Sequence, residues 1–291
     1  MGLGKTAVTL SVISNLIYDH LEVSKVLIIA PKKVAESTWQ DEIEKWDDFK
    51  ALTYSTVLGS KMQRVKALLQ NTDIYITNRE NTVWLMEFFN YKPPFDMLVI
   101  DESSSFKNPQ AKRFRALRKC RSCFDRMILL TGTPSPNNLM DLWAQLYLLD
   151  GGERLGRTLT AYRHNYFRPD KTNGLVVYSY KILGPNAEKE IYHRISDICM
   201  SLKGSVNVPK IINPIRISLS PAEMALYKKF SKEQVLKMGD EEITAPNAAA
   251  LSNKLLQLSG GAIYDDDGNT IVIHDAKIQR LLEIIEDNAG H

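Results

Sequence analysis

Three short groups of residues in this sequence could do chemistry on a phosphate. The first is Met1-Gly2-Leu3-Gly4-Lys5-Thr6, the back half of a Walker A loop. In such a loop Gly2 and Gly4 let the backbone approach the phosphates and its N–H groups cradle them. Lys5 neutralises the β/γ-phosphates, and the Thr6 hydroxyl is a ligand for Mg²⁺. The second group is Asp101-Glu102, delivered by the apolar run Met97-Leu98-Val99-Ile100. Paired carboxylates at a strand end suit Asp101 to hold Mg²⁺ and Glu102 to orient an attacking water, although an apolar run ending in Asp-Glu also fits a solvated strand end. The third is Thr131-Gly132-Thr133-Pro134, which follows Met127-Ile128-Leu129-Leu130. Hydroxyls and a glycine there can sense the γ-phosphate and relay its state, although the same residues also serve ordinary turns.

The elements around these groups alternate. Val26–Ala30, Thr53–Leu58, Asp73–Thr77, Met97–Ile100 and Met127–Leu130 read as strands. Ala7 to Ile17, Ser37 to Phe49, Met62 to Leu69 and Asn81 to Phe89 read as helices. Continuous apolar strands alternating with amphipathic helices predict a parallel sheet covered on both faces. After Gly151-Gly152 the rhythm changes. Helices are expected over Thr158 to Phe167, Ala187 to Leu202, Pro221 to Met238, Ala248 to Leu258 and Asp275 to Glu286, with a strand pair or exposed strand at Leu175 to Ile182. A hairpin is expected from Ala262 to Ile273. Its acidic turn is no calcium loop, because Gly268 comes too early for that pattern.

Composition narrows the class. The chain has 291 residues, 44% hydrophobic and 24% charged, as in a globular protein with a proper core. No apolar run is long enough to span a bilayer and no secretory signal is visible, so a cytoplasmic setting without a membrane partner is expected. The first six residues also fit an N-myristoylation pattern, but no polybasic stretch adjoins them as a second anchor. Three cysteines argue against a disulfide framework. Cys120 and Cys123 form a single C-x-x-C without a second ligand pair, and read as incidental thiols at a helix end. The net charge of +3 neither demands nor forbids a nucleic acid. Eight Lys and Arg residues lie between Lys107 and Arg126; they read either as a solvated helix face or as a phosphate-facing patch.

Taken in order, these groups make the chain resemble the first motor lobe of a Swi/Snf-type superfamily-two helicase-like ATPase. The matching pieces are residues 1–6, Ala30-Pro31-Lys32-Lys33-Val34 through Trp39, Ile76-Thr77-Asn78-Arg79-Glu80, Asp101-Glu102-Ser103-Ser104 with Lys107-Asn108, and Leu130 to Pro134. The stretch Asn137-Asn138-Leu139-Met140-Asp141-Leu142-Trp143 is rather specific to that family. A DEAD-box RNA helicase would normally show Ser-Ala-Thr at the third motif. Ser103-Ser104 departs from the Ala-His of many members and fits a phage or bacterial DEAD/DEAH-like branch better.

The resemblance implies an α/β fold: a RecA-like P-loop parallel sheet followed by a mainly helical insertion. It implies an ATP-binding lobe at residues 1–150 lacking its first strand, an insertion and linker at 151–275, and the start of a second RecA-like lobe at 276–291. It implies an ATP-dependent, Mg²⁺-dependent translocase on double-stranded DNA. Lys5, Asp101 and Glu102 would be catalytic, Thr131, Gly132 and Thr133 would couple nucleotide state to DNA, and Lys32, Lys33, Asn78 and Arg79 would meet the DNA backbone. For Lys32 and Lys33 an exposed loop after a strand is the alternative. Trp39 and Trp143 are expected in the core rather than stacked on bases. With the loop's strand and the second lobe's arginine finger outside the chain, these 291 residues alone are expected to show negligible DNA-stimulated hydrolysis. The rival readings are a restriction-type or RNA helicase motor, and a binding module without turnover.

Overall fold

In the computed structural model, residues 4–132, 134–135, 139–173, 177–201, 213–233, 235–238, 241–244, 247–265 and 267–288 are described. The chain forms two compact units, Met1–Ser205 and Val206–His291.

The first unit is built on five parallel strands: β1 (Val26–Ala30), β2 (Tyr54–Thr56), β3 (Ile74–Asn78), β4 (Met97–Asp101) and β5 (Arg126–Leu130), in the spatial order β2-β3-β1-β4-β5. The interleaved helices are α1 (Lys5–Ser14), α2 (Trp39–Lys45), α3 (Lys61–Leu68), α4 (Thr82–Phe88), α5 (Lys112–Cys120) and α6 (Leu142–Asp150). A side-chain period of two splits each central strand between two cores. Val26, Ile28, Ala30, Ile74, Ile76, Met97 and Val99 pack with Leu10, Ile13, Trp39 and Ile43 of α1 and α2. Leu27, Ile29, Tyr75, Leu98 and Ile100 face the other way, onto Leu85, Phe114, Leu117 and Trp143. Both faces are therefore covered, and the all-apolar strands follow from that burial. β5 stands at one edge of the sheet, with Arg126 exposed and Met127 to Leu130 half-buried.

Parallel strands bring all their C-terminal ends to one edge, where α/β sheets bind ligands. Register fixes which ends meet. Ala30 lies beside Asn78, Ile29 beside Ile100, and Asp101 beside Leu130.

Residues 155–195 share the same core. Leu155, Tyr162, Tyr166, Phe167, Ile191 and Ile195 join the cluster under α5 and α6. They come from α7 (Leu159–Tyr166), from an antiparallel pair β6 (Phe167–Thr172) and β7 (Val177–Ile182), and from α8 (Pro185–Ile195). α8 stops at Ile195, short of the Leu202 expected from periodicity.

The second unit holds α9 (Pro221–Glu233), β8 (Val235–Met238), β9 (Glu241–Thr244), α10 (Ala248–Gly260), β10 (Ala262–Tyr264), β11 (Thr270–Val272) and α11 (Ala276–Asn288). α9 is shorter than its sequence suggests, because Val235–Met238 pairs with Glu241–Thr244 as an antiparallel hairpin instead. Phe230, Leu258 and Ile263 form the small core. Gly261 ends α10 at φ +110°, and a Cβ there would meet the His274 carbonyl oxygen at 2.4 Å. Only glycine suits both constraints.

Candidate nucleotide site at the sheet edge

Lys5 and Thr6 open α1, so their backbone N–H groups are among those a helix N-terminus leaves unpaired. Gly4 precedes them at φ 72°, a left-handed conformation that a side chain would strain. The Thr9 hydroxyl folds back on the Lys5 carbonyl at 2.8 Å, while Leu10 and Ile13 anchor the helix to the sheet. Gly2 and Thr133 lie outside the described residues.

Asp101 ends β4 and is partly buried. Burial raises its carboxyl above the ordinary aspartate range. Against that act the Glu102 N–H, which donates to Oδ1 at 2.9 Å, the Lys5 ammonium and the Trp39 indole. Trp39 is fully buried, as its place on an amphipathic helix suggests. Its Nε1 makes no well-formed hydrogen bond, yet its N–H helps to favour the Asp101 carboxylate. A partly buried carboxylate beside a lysine suits a hard divalent cation with an anionic substrate. Among the described residues no group of three or more His, Cys, Asp and Glu side chains comes together. Mg²⁺ needs no such cage, since it is commonly held by one or two carboxylates, water and substrate phosphates.

Glu102 has a left-handed backbone at φ 54° and ψ 58°. Non-glycine residues rarely adopt it, and it tends to persist where surrounding structure holds it for a function. Two hydroxyls hold its side chain. Ser104 Oγ donates to Oε1 at 2.8 Å and Thr131 Oγ1 donates to the same oxygen at 3.3 Å. The sequence marks Ser104 only as a departure from the family pattern; its contact gives it a role.

The expected DNA contacts lie at the same edge. Lys32 and Lys33 follow β1 and are exposed; Lys32 makes only a loose 3.9 Å pair with Glu36. Asn78 and Arg79 follow β3. Asn78 is buried and its Oδ1 accepts the Asn81 N–H at 3.1 Å. Arg79 donates to its neighbour Glu80 at 2.9 Å.

The basic stretch from Lys107 to Arg126 is largely engaged within the protein. Lys107 pairs with Asp141 at 3.2 Å. Arg121 caps the end of α6 through the carbonyls of Leu148 and Leu149, and Arg126 pairs with Glu22. Arg118 and Lys119 lie over the Tyr147 and Tyr91 rings. Lys112 and Arg115 are exposed. Cys120 is packed in the core, where burial pushes its thiol up to about 12, and Cys123 is half-buried. Trp143 is core, with its indole N–H donating to the Gly156 carbonyl at 2.9 Å.

No helix among the described residues is long and apolar enough to cross a membrane.

Comparison with known proteins agrees with this geometry. The chain is similar over its whole length to putative protein p41 of Acyrthosiphon pisum secondary endosymbiont phage 1, with 39% identity over 302 aligned positions covering 65% of that protein. It is 36% identical over 51% of its length to the helicase SWR1 of Mycosarcoma maydis, of which this covers 8%. It is 29% identical over 78% of its length to chromatin remodeling factor mit1 of Schizosaccharomyces pombe, covering 15% of that protein. The chain thus spans about two thirds of the phage relative and a small part of the fungal ones. Among solved structures, the Sulfolobus solfataricus SWI2/SNF2 ATPase core in complex with dsDNA superposes with a TM-score of 0.58 at 25% identity, over all of this chain and 59% of that one. The family model of the SNF2-related domain matches residues 1–260. The chain belongs to the SNF2-related domain family of helicase-like ATPases.

Proposed function

We propose that this chain is the ATP-binding lobe of a Mg²⁺-dependent motor that tracks the phosphates of duplex DNA. The observation that carries the reading is the convergence of Lys5, Asp101, Glu102 and Thr131 at one end of the parallel sheet.

In this reading Lys5 and the first N–H groups of α1 bind the β/γ-phosphates. Thr6 and Asp101 would hold Mg²⁺, which when bound neutralises charge on the phosphates and the leaving group. The Glu102 carboxylate orients the attacking water and takes its proton, while Ser104 and Thr131 hold it in place through Oε1. Thr131 sits at the root of the third motif, so a change at the γ-phosphate can reach the DNA-facing turns through it. A second lobe supplies the arginine finger. Lys32, Lys33 and Arg79 neutralise DNA phosphates at the neighbouring strand ends. Phosphate contacts carry little sequence information, which suits a translocase. The structural relative was solved with dsDNA, which favours duplex over RNA.

Salt dependence of DNA binding tests the reading. Neutralising Lys32, Lys33 or Arg79 singly should each reduce the log–log salt slope by about one unit, with little sequence preference. An unchanged slope for all three would return these residues to an exposed-loop role. Comparing duplex DNA, single strands and RNA as competitors separates the translocase from an RNA helicase.

A further inference from the structure

Gln145 is a buried amide in an otherwise apolar stretch of α6. Its neighbours Leu142, Trp143, Ala144, Leu146 and Leu148 are all core residues, and only 2% of its own surface is exposed. Its Oε1 accepts from Ser103 Oγ at 2.7 Å. Its Nε2 donates to the Pro134 carbonyl at 2.6 Å and to the Asp141 carbonyl at 2.9 Å. Ser103 directly follows Glu102 and is buried. Pro134 lies just beyond Thr131 and Gly132 on the turn after β5. The two turns that carry Glu102 and Thr131 are therefore tied together a second time, behind their direct contact.

Packing alone does not call for an amide here. An apolar side chain of similar volume would fill the space without burying polar atoms. What a satisfied buried network adds is one fixed arrangement of the groups it joins. Gln145 is the partner of Ser103 across the interior, and the pair forms a directional link.

We propose that Gln145 is a positioning residue. By holding the Ser103 and Pro134 turns to α6, it fixes the placement of Glu102 against Thr131 and so controls hydrolysis rather than nucleotide binding. The kinetic part of this inference rests on the ATPase reading above; the tie between the two turns does not.

The test uses the whole chain and three variants. Gln145→Leu leaves the Ser103 hydroxyl and the Pro134 carbonyl without their partner, so a loss of stability is expected. The double variant Ser103→Ala/Gln145→Leu removes the serine orphan and restores apolar packing. Ser103→Ala alone keeps the link to Pro134. Thermal midpoint, hydrogen exchange of peptides containing Ser103–Phe106 and Thr131-Gly132, ATP affinity and single-turnover hydrolysis are measured together. The double variant should regain most of the thermal midpoint lost in Gln145→Leu. It should still exchange roughly tenfold faster in both peptides and hydrolyse about tenfold more slowly at unchanged ATP affinity. In Ser103→Ala the faster exchange should be confined to the Ser103–Phe106 peptide. Wild-type exchange in both peptides of the double variant would overturn the proposal, since Gln145 would then only fill space. Should the double variant not fold, wild-type exchange in Ser103→Ala would overturn it equally. Absence of ATP binding by the wild type would count against the ATPase reading and leave the exchange result to decide the tie.

Discussion

Thr131 Oγ1 donates to Glu102 Oε1 across 3.3 Å, joining the ends of two adjacent parallel strands through a carboxylate. Ser104 Oγ reaches the same oxygen at 2.8 Å. Glu102 thus sits between the turn after β4 and the turn after β5, and either turn can move it.

Removing these two hydroxyls should act on turnover. Ser104→Ala and Thr131→Ala are each expected to slow hydrolysis by about 10- to 150-fold, the worth of one hydrogen bond to a charged group, with ATP affinity unchanged. The double variant should lose less than the product of the two, because both hydroxyls share one oxygen. Rate and affinity measured side by side check this; a change in affinity alone would assign the pair to binding.

Asp101 gives a pH prediction. Its folded pKa is raised, chiefly by burial, so between the ordinary aspartate value and the raised one the folded state binds more protons than the unfolded state. Stability therefore falls as pH rises through that window, and at neutral pH the ionised carboxylate is a net cost in the nucleotide-free protein. Asp101→Asn should raise the thermal midpoint at neutral pH by roughly a few degrees while abolishing Mg²⁺-dependent ATP binding. In the wild type that binding should fail on acidification at a pH above the ordinary aspartate range. Trp39→Phe removes a group that favours the carboxylate, so the failure should move to higher pH still. Nucleotide titrations across pH for the three proteins supply the comparison.

The basic stretch divides into two kinds of residue. Arg121 is bound to the last carbonyls of α6, and Arg121→Ala should cost about 1–3 kcal/mol of stability with no change in the salt dependence of DNA binding. Lys112 and Arg115 are exposed on α5, so their neutralisation should leave stability alone. Denaturant melts and salt titrations of the same variants distinguish the two groups.

Much of this architecture is legible in the sequence. Runs such as Val26–Ala30 and Met97–Ile100 are apolar at every position because both faces of the sheet are covered. Once the strands are parallel, their ends must share one edge, so residues 32, 78, 101 and 131 meet there without further information. What stays hidden is partner identity across the interior. Arg121 looks like any solvated arginine until the end of α6, 27 residues away, supplies its carbonyl. Gln145 looks like an isolated polar residue in an apolar helix, because its acceptor role depends on Ser103, 42 residues earlier. Trp39 is readable as core, but its N–H near Asp101 is not. Val235–Met238 continues the apolar pattern of α9, and only its pairing with Glu241–Thr244 makes it a strand.

The central claim is that Lys5, Asp101 and Glu102 form one hydrolytic site in which binding and turnover are separable. Single-turnover hydrolysis of labelled ATP at enzyme excess, which detects slow chemistry, measures this most directly when ATP binding is followed in the same samples. Lys5→Ala should weaken binding by roughly 10- to 100-fold. Glu102→Gln should bind as the wild type does and hydrolyse at least about 100-fold more slowly. Hydrolysis by Glu102→Gln at the wild-type rate, with binding intact, would contradict the account.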